Sequence, residues 1–297
     1  MVRKLNKVWA ALFISALIFG ATSTSASAIG EYPKRQLSVH TIDDIGIYNY
    51  PSVNLTLNGT WISRSPLIND TTYVPLREFV SLLTDTRITY FASTRTATVT
   101  ASGLEISATD GTNIVYANGR VLYSLSPTRI LSDGKMYVPV RTLVKAMGLS
   151  VFWDGANATT RVTGAYSPIL PGDKYYDGDS VYWLSRIISA ESAGEPMLGQ
   201  IAVGNVVLNR VSSRDFPNSI YSVIFDRKYG VQFTPVANGT VYNTPYFTSV
   251  IAAKICLEGF SVSDGILYFM EPTISTSGWI KTNRYYAFSI GHHDFYY

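Results

Sequence analysis

The chain has 297 residues, with 24 lysines and arginines against 21 acids, three histidines and one cysteine. One cysteine excludes an internal disulfide. A net charge of +3, carried by the first few residues, argues against nucleic acid as a partner.

Arg3, Lys4 and Lys7 precede an apolar run, Val8 to Phe19, and the small-residue trio Ala26-Ser27-Ala28. That layout predicts a secretory signal peptide over residues 1–28, cut after Ala28. A retained membrane anchor is the alternative, but the run is short for spanning a bilayer. The signal takes three cations and no acids with it, so the exported chain is formally neutral. Residues 29–52 read as an N-terminal extension. The rest of the chain is long enough for two ordinary domains. Its abundant tyrosine, serine and threonine suit contact with carbohydrate.

Over 53–164 the sequence repeats itself. Leu57-Asn58-Gly59 leads to "TTYVPLREFVSLL", and Ala117-Asn118-Gly119 leads to "KMYVPVRTLVKAMG". Each copy predicts a strand, an Asn-Gly turn, a strand and a short helix opening at Pro75 or Pro139, where a proline loses no hydrogen bond. A further strand comes after each helix, Arg87 to Phe91 and Leu149 to Trp153. The alternation of apolar positions indicates a half-buried sheet and an α+β class. Tyr73, Arg77, Tyr137 and Arg141 are expected to hold each repeat together.

The "YVPLR" and "YVPVR…MGLSVFWD" runs resemble the copper amine oxidase N-terminal-like (stalk) domain. The resemblance implies a stalk-like module, with a wall-tethering or substrate-targeting role left open. No copper site is expected, because the segment contains no histidine; His40 lies upstream.

Residues 165–178 are rich in Pro, Gly and Asp and lack apolar periodicity, so they read as a linker. Over 179–297 the pattern predicts helices first and a small sheet last, again α+β. Asp179 or Ser180 caps a helix through "VYWLSRIISAES". Leu184, Ile187, Ile188 and Glu191 fall on one face of it. Gly194 ends that helix, and Pro196 opens a second whose "IAVGNVVL" is apolar almost all round and therefore buried. "TPYFTSVIAAKICLEG" predicts a third helix, with Thr244 as cap, Pro245 first and Gly259 as terminator. The tail, "ILYF" and "YYAFSIGHHDFYY", alternates as strands do.

A carboxylate on an apolar face is desolvated and keeps its proton near neutrality, the state a general acid needs. The competing reading makes Glu191 an ordinary exposed glutamate at a helix end. Glu195 is the nearest second carboxylate, but the Gly194–Pro196 break leaves its distance undefined, and it is equally placed to cap the second helix.

"SAESAGEPMLGQIAVGNVVLNRVSSRDFPNSIYSVIF" resembles the catalytic core of SleB-type spore cortex-lytic and related cell wall hydrolases. That family is similar to lytic transglycosylases with a lysozyme-like core. "QFTPVANGT", "GILYFMEPTISTSGWI" and "IGHHDFY" continue the likeness in order. The resemblance implies a catalytic acid at Glu191, with Ser192 matching the Glu-Ser pair of soluble lytic transglycosylases. Ala193 stands where the family commonly has a basic residue, so one substrate contact is missing or supplied elsewhere. Gln232 and Phe233 are candidates for the saccharide groove, an amide for hydroxyls and a ring for stacking, although Phe233 reads equally as core. Tyr285, Tyr286 and Trp279 are candidate platforms, and His293 is structural or an outer sugar contact.

The implied protein is a secreted lytic transglycosylase of the germination-enzyme type. It would cut the MurNAc–GlcNAc bond in peptidoglycan glycan strands of the vegetative wall or spore cortex. No cofactor or metal is expected, and an activator or wall-tethering partner on the stalk-like domain is left open. One alternative is a hydrolytic muramidase pairing Glu191 with Glu195, Asp215 or Glu271. Another is a non-catalytic wall-binding protein. A zinc amidase fails on ligand count, since His292 and His293 point to opposite faces of a strand. Cys256, inside an apolar helix, reads as core rather than nucleophile.

Overall fold

The computed structural model describes residues 50–228, 230–275 and 278–297. The expected signal peptide, His40 and nearly all of the N-terminal extension lie outside the described residues. No helix among the described residues is long and apolar enough to cross a membrane.

The first domain opens with β1 (Ser52–Leu57), β2 (Thr60–Ile68), β3 (Thr71–Pro75), α1 (Leu76–Val80), β4 (Arg87–Phe91) and β5 (Thr96–Ala101). It continues with β6 (Leu104–Thr109), β7 (Ile114–Ala117), β8 (Arg120–Tyr123), β9 (Arg129–Ile130), β10 (Met136–Pro139), α2 (Val140–Ala146), β11 (Ser150–Asp154) and β12 (Thr159–Thr163). Asn58-Gly59 and Asn118-Gly119 both take left-handed backbone (φ 51° and 84°, 48° and 74°), the turn that suits the twist of a two-residue hairpin. Pro75 and Pro139 still belong to their strands, with ψ extended, and the helices begin one residue later than expected.

The repeats exchange strands. One sheet runs β11-β12-β1-β2-β3-β10-β9 and the other β4-β5-β6-β7-β8. The hairpin after each helix thus joins the Asn-Gly hairpin of the other repeat, with β12 parallel to β1 and β6 bridging β5 to β7. Leu55 and Val162 from one sheet, Val99 and Ile106 from the other, and Phe79 and Leu143 from the helices share one core. The Tyr73 hydroxyl donates to the Pro127 carbonyl (2.8 Å) and that of Tyr137 to Asp133 (3.0 Å), as braces should. Arg77 and Arg141 are instead exposed, and no side-chain hydrogen bond or ion pair of either occurs among the described residues.

The second domain has α3 (Gly172–Tyr175), α4 (Gly178–Ser192), α5 (Met197–Ser212), α6 (Ile220–Ile224), α7 (Thr234–Asn238) and α8 (Phe247–Leu257). After them come β13 (Tyr268–Met270), α9 (Trp279–Asn283), β14 (Tyr286–Ile290) and β15 (His293–Tyr296), forming a β13-β15-β14 sheet. Asp177, not Asp179 or Ser180, caps α4, accepting from the Ser180 N–H. α8 starts at Phe247 after an extended Tyr246, not at Pro245. Gly204 lets α5 press on its neighbours: a Cβ there would lie 2.6 Å from Cys256 Sγ and 2.8 Å from Ile188 Cδ1. Cys256 is buried in that core, which pushes its thiol pKa up and leaves it inert, as expected.

The segment expected to be a linker is fastened at both sides. The Gly172 N–H donates to the Asn118 carbonyl (2.8 Å), and Tyr176 donates to Glu258 (2.8 Å). Arg120 on β8 grips the buried Glu258 carboxylate with Nε at 2.8 Å and Nη2 at 2.7 Å, and Lys145 approaches it at 3.0 Å. Val121 belongs to the second domain's core, and Tyr123 meets Phe260 edge-on at 4.7 Å. The two domains therefore share a desolvated, fully partnered junction.

Candidate active site

α4 carries Leu184, Ile187 and Ile188 into the core, all fully buried, and the same stripe brings Glu191 to the edge of that core. Burial lifts the Glu191 carboxyl from 4.5 to about 7; only the charge of Arg210 pulls it back down. Among the described residues no group hydrogen-bonds this carboxylate.

Arg210, on the last turn of α5, is itself buried. Its Nε donates to the Leu267 carbonyl (2.8 Å), and Nη1 finds no partner among the described residues. The guanidinium lies over Phe216, Phe233 and Tyr268, 4.9, 5.2 and 5.5 Å from the ring centres. Burial lowers its pKa to about 10, opposed by Tyr268, Asp226 and Glu191. Asp226, just after α6, accepts from the Lys228 N–H (2.9 Å). Glu191 and Asp226 thus both act on the charge of Arg210, whose guanidinium is lodged among three rings. Such a group can hold a proton at neutral pH and steady the anion left when it departs.

Two turns before Glu191, Trp183 meets Tyr221, Phe225 and Tyr242 edge-on at 5.2, 5.1 and 6.2 Å. Tyr221 and Tyr242 keep more than half of their surface exposed. They form an aromatic surface on the flank of the helix that carries Glu191. Neither it nor Arg210 and Asp226 stood out in the sequence. "VYWL" reads as helix interior, and Arg210 reads as a brace at a helix end.

Several expected contacts are corrected. The Ser192 hydroxyl turns inward to the Ile188 carbonyl (2.7 Å) and is buried. Phe233 is core, the floor beneath Arg210, not a groove-lining ring. Glu195 is engaged elsewhere: its oxygens accept from the N–H and meet Nδ1 of His292, both at 2.9 Å. It clasps the β14–β15 turn instead. His293 is buried edge-on to Phe269 at 5.3 Å, with burial holding its pKa below the usual value. Gln232 is half-buried and donates to the Gly230 carbonyl (3.3 Å). Tyr285 is exposed, and no ring or hydrogen-bond contact of its side chain links it to Glu191. Asp215 is exposed and Glu271 accepts from Thr273 (2.9 Å). No group of three or more metal-ligating side chains occurs among the described residues.

Residues 194–296 match the family model described as Cell Wall Hydrolase. The C-terminal domain belongs to the cell wall hydrolase family. The matched span begins just past Glu191. Residues 56–162 match the model of the copper amine oxidase N-terminal domain. The cell wall hydrolase domain is similar to spore cortex-lytic enzymes: 39% identical over 120 residues in Bacillus cereus, covering 40% of this chain and 45% of the relative. In Bacillus subtilis identity is 35% over 123 residues, covering 41% and 39%. The chain thus spans less than half the length of the curated relatives it matches. It is also 38% identical to a solved structure, the catalytic domain of the germination-specific lytic transglycosylase SleB from Bacillus anthracis. That likeness covers 43% of this chain and all of the other, with a TM-score of 0.38.

Proposed function

We propose that this protein is an exported peptidoglycan-cleaving enzyme, a lytic transglycosylase acting on the MurNAc–GlcNAc bond in cell wall or spore cortex. The observation that carries the reading is the desolvated Glu191, protonated up to about pH 7 with no hydrogen bond of its own among the described residues. Protonated Glu191 gives its proton to the glycosidic oxygen as the bond to muramic C1 breaks, and the leaving sugar departs as an alcohol. Arg210 steadies the carboxylate that remains. That carboxylate then takes the proton of the muramic C6 hydroxyl, whose oxygen closes onto C1 as a 1,6-anhydro ring. Glu191 ends protonated, and no water is consumed. The aromatic surface of Trp183, Tyr221 and Tyr242 suits stacking of the glycan strand along α4.

Hydrolysis is the second reading, because Asp226 shares Arg210 with Glu191. A water activated by a second carboxylate would then leave a reducing muramic end. Mass spectrometry of fragments released from purified sacculi, and separately from cortex, tests the choice. Anhydro-muramic ends lost in Glu191→Gln are expected. Reducing ends would shift the assignment to a muramidase and to Asp226. No fragments from either substrate would leave a wall-binding protein.

A further inference from the structure

The exchange of strands gives the first domain two related outer faces, and among the described residues only one is packed against the second domain. In β8, Val121 comes just after the Asn118-Gly119 turn, pairs with Tyr116 and is buried against the second domain. The equivalent residue after Asn58-Gly59 is Trp61, which pairs with Thr56 and is 59% exposed. Register continues the row across the sheet: Trp61 to Thr56, Thr56 to Arg161, Arg161 to Phe152. Residues directly opposite share a face, so all four point outward. Phe152, at the far end on the edge strand β11, is 64% exposed.

Two large rings therefore stand three strand spacings apart, about 14 Å, with a threonine and an arginine between them. Arg161 pairs with Asp154, and the neighbouring Arg64, on the same face, donates to the Ser52 hydroxyl (2.8 Å). A protein partner would want a continuous apolar centre, which this face lacks. Arg161 is already neutralised by Asp154, whereas Arg64 has no acidic partner among the described residues. Two separated rings with a threonine hydroxyl between them and that cation beside them fit a glycan bearing carboxylates, stacked at two sugars and paired at Arg64.

We infer that this face is a second, non-catalytic binding site for the carboxylate-bearing glycan strand of peptidoglycan. The choice of glycan rests on the proposed substrate; the face itself does not depend on Glu191. The test uses the full chain carrying Glu191→Gln, so that nothing is cut, and measures co-sedimentation with purified sacculi. The Trp61→Ala/Phe152→Ala pair should weaken binding at least fivefold, while Trp61→Tyr/Phe152→Tyr keeps most of it. An unchanged thermal midpoint for both pairs shows that the fold survives. Equal binding by the alanine pair overturns the proposal, as does failure of the parent to bind sacculi. So does loss of a concentration-dependent dimer with sacculus binding intact, which would make the occupant a second copy of this chain. Turnover of soluble glycan fragments by the alanine pair with Glu191 intact reads the other site separately. If no form of the protein cuts glycan yet the alanine pair still loses binding, the catalytic reading fails and this one stands.

Discussion

Two glutamates at helix ends in the same domain meet burial in opposite ways. Glu258, closing α8, is surrounded by Arg120, Tyr176 and Lys145, whose hydrogen bonds outweigh the upward push of burial and hold its pKa below the ordinary value. Glu191, closing α4, is also pushed up by burial, with only the charge of Arg210 against it, and rises to about 7. A carboxylate paired on every side is cement; one left bare in a poorly hydrated place is a proton store. The difference lies in the partners, not in the residue type.

The sharpest break in that comparison is Glu191→Gln, which keeps the shape and removes the proton. Release of glycan fragments should fall by at least about 10³-fold, as expected for loss of a general acid. Next comes Glu258→Ala, which strands Arg120 in the junction. Removing one partner of a buried pair should cost about 3–5 kcal/mol in denaturant unfolding and expose residues 165–178 to proteolysis. Third, Glu191→Gln should stabilise the protein at pH 8 by roughly 3 kcal/mol. The folded carboxyl binds its proton more tightly than the unfolded one, so the wild type loses stability as pH rises from 4.5 to about 7. Glu258 works the other way, its contribution present above the unfolded pKa and lost as acid protonates it. On the proposed role of Glu191 as acid, activity should fall above about pH 7, and a rate rising through pH 8 would contradict that role. Smallest is Lys145→Met: the lysine side chain is 43% exposed, and its loss should cost no more than about 1 kcal/mol.

Much of the fold was legible in the sequence because local signals state it. The Asn-Gly turns, the prolines before the short helices and the apolar stripe of α4 each act within a few residues. Glu191 could be singled out because its spacing put it on the stripe that Leu184 and Ile188 bury. What lay beyond reach was made by distant pairs. Arg210 faces Glu191 from another helix, and Glu258 finds Arg120 in the other domain. Ser192 and Phe233 have the chemistry of sugar contacts, but helix phase and core packing turned both inward. Glu195 was drawn away by the N–H of His292, nearly a hundred residues downstream.

The exchanged hairpins also dictate when the first domain can become whole. β1 begins at Ser52, yet its parallel neighbour β12 ends at Thr163. During synthesis the first repeat leaves the ribosome with an unpaired edge that must wait for more than half of the domain. Pairings so remote in sequence form slowly, and open edges invite wrong partners in the interval. The strand that ends the wait is also the last before the segment leading into the hydrolase domain. The first domain therefore becomes whole only when the chain has reached the start of the second, all of whose elements, from Gly172 to Tyr296, are still to come.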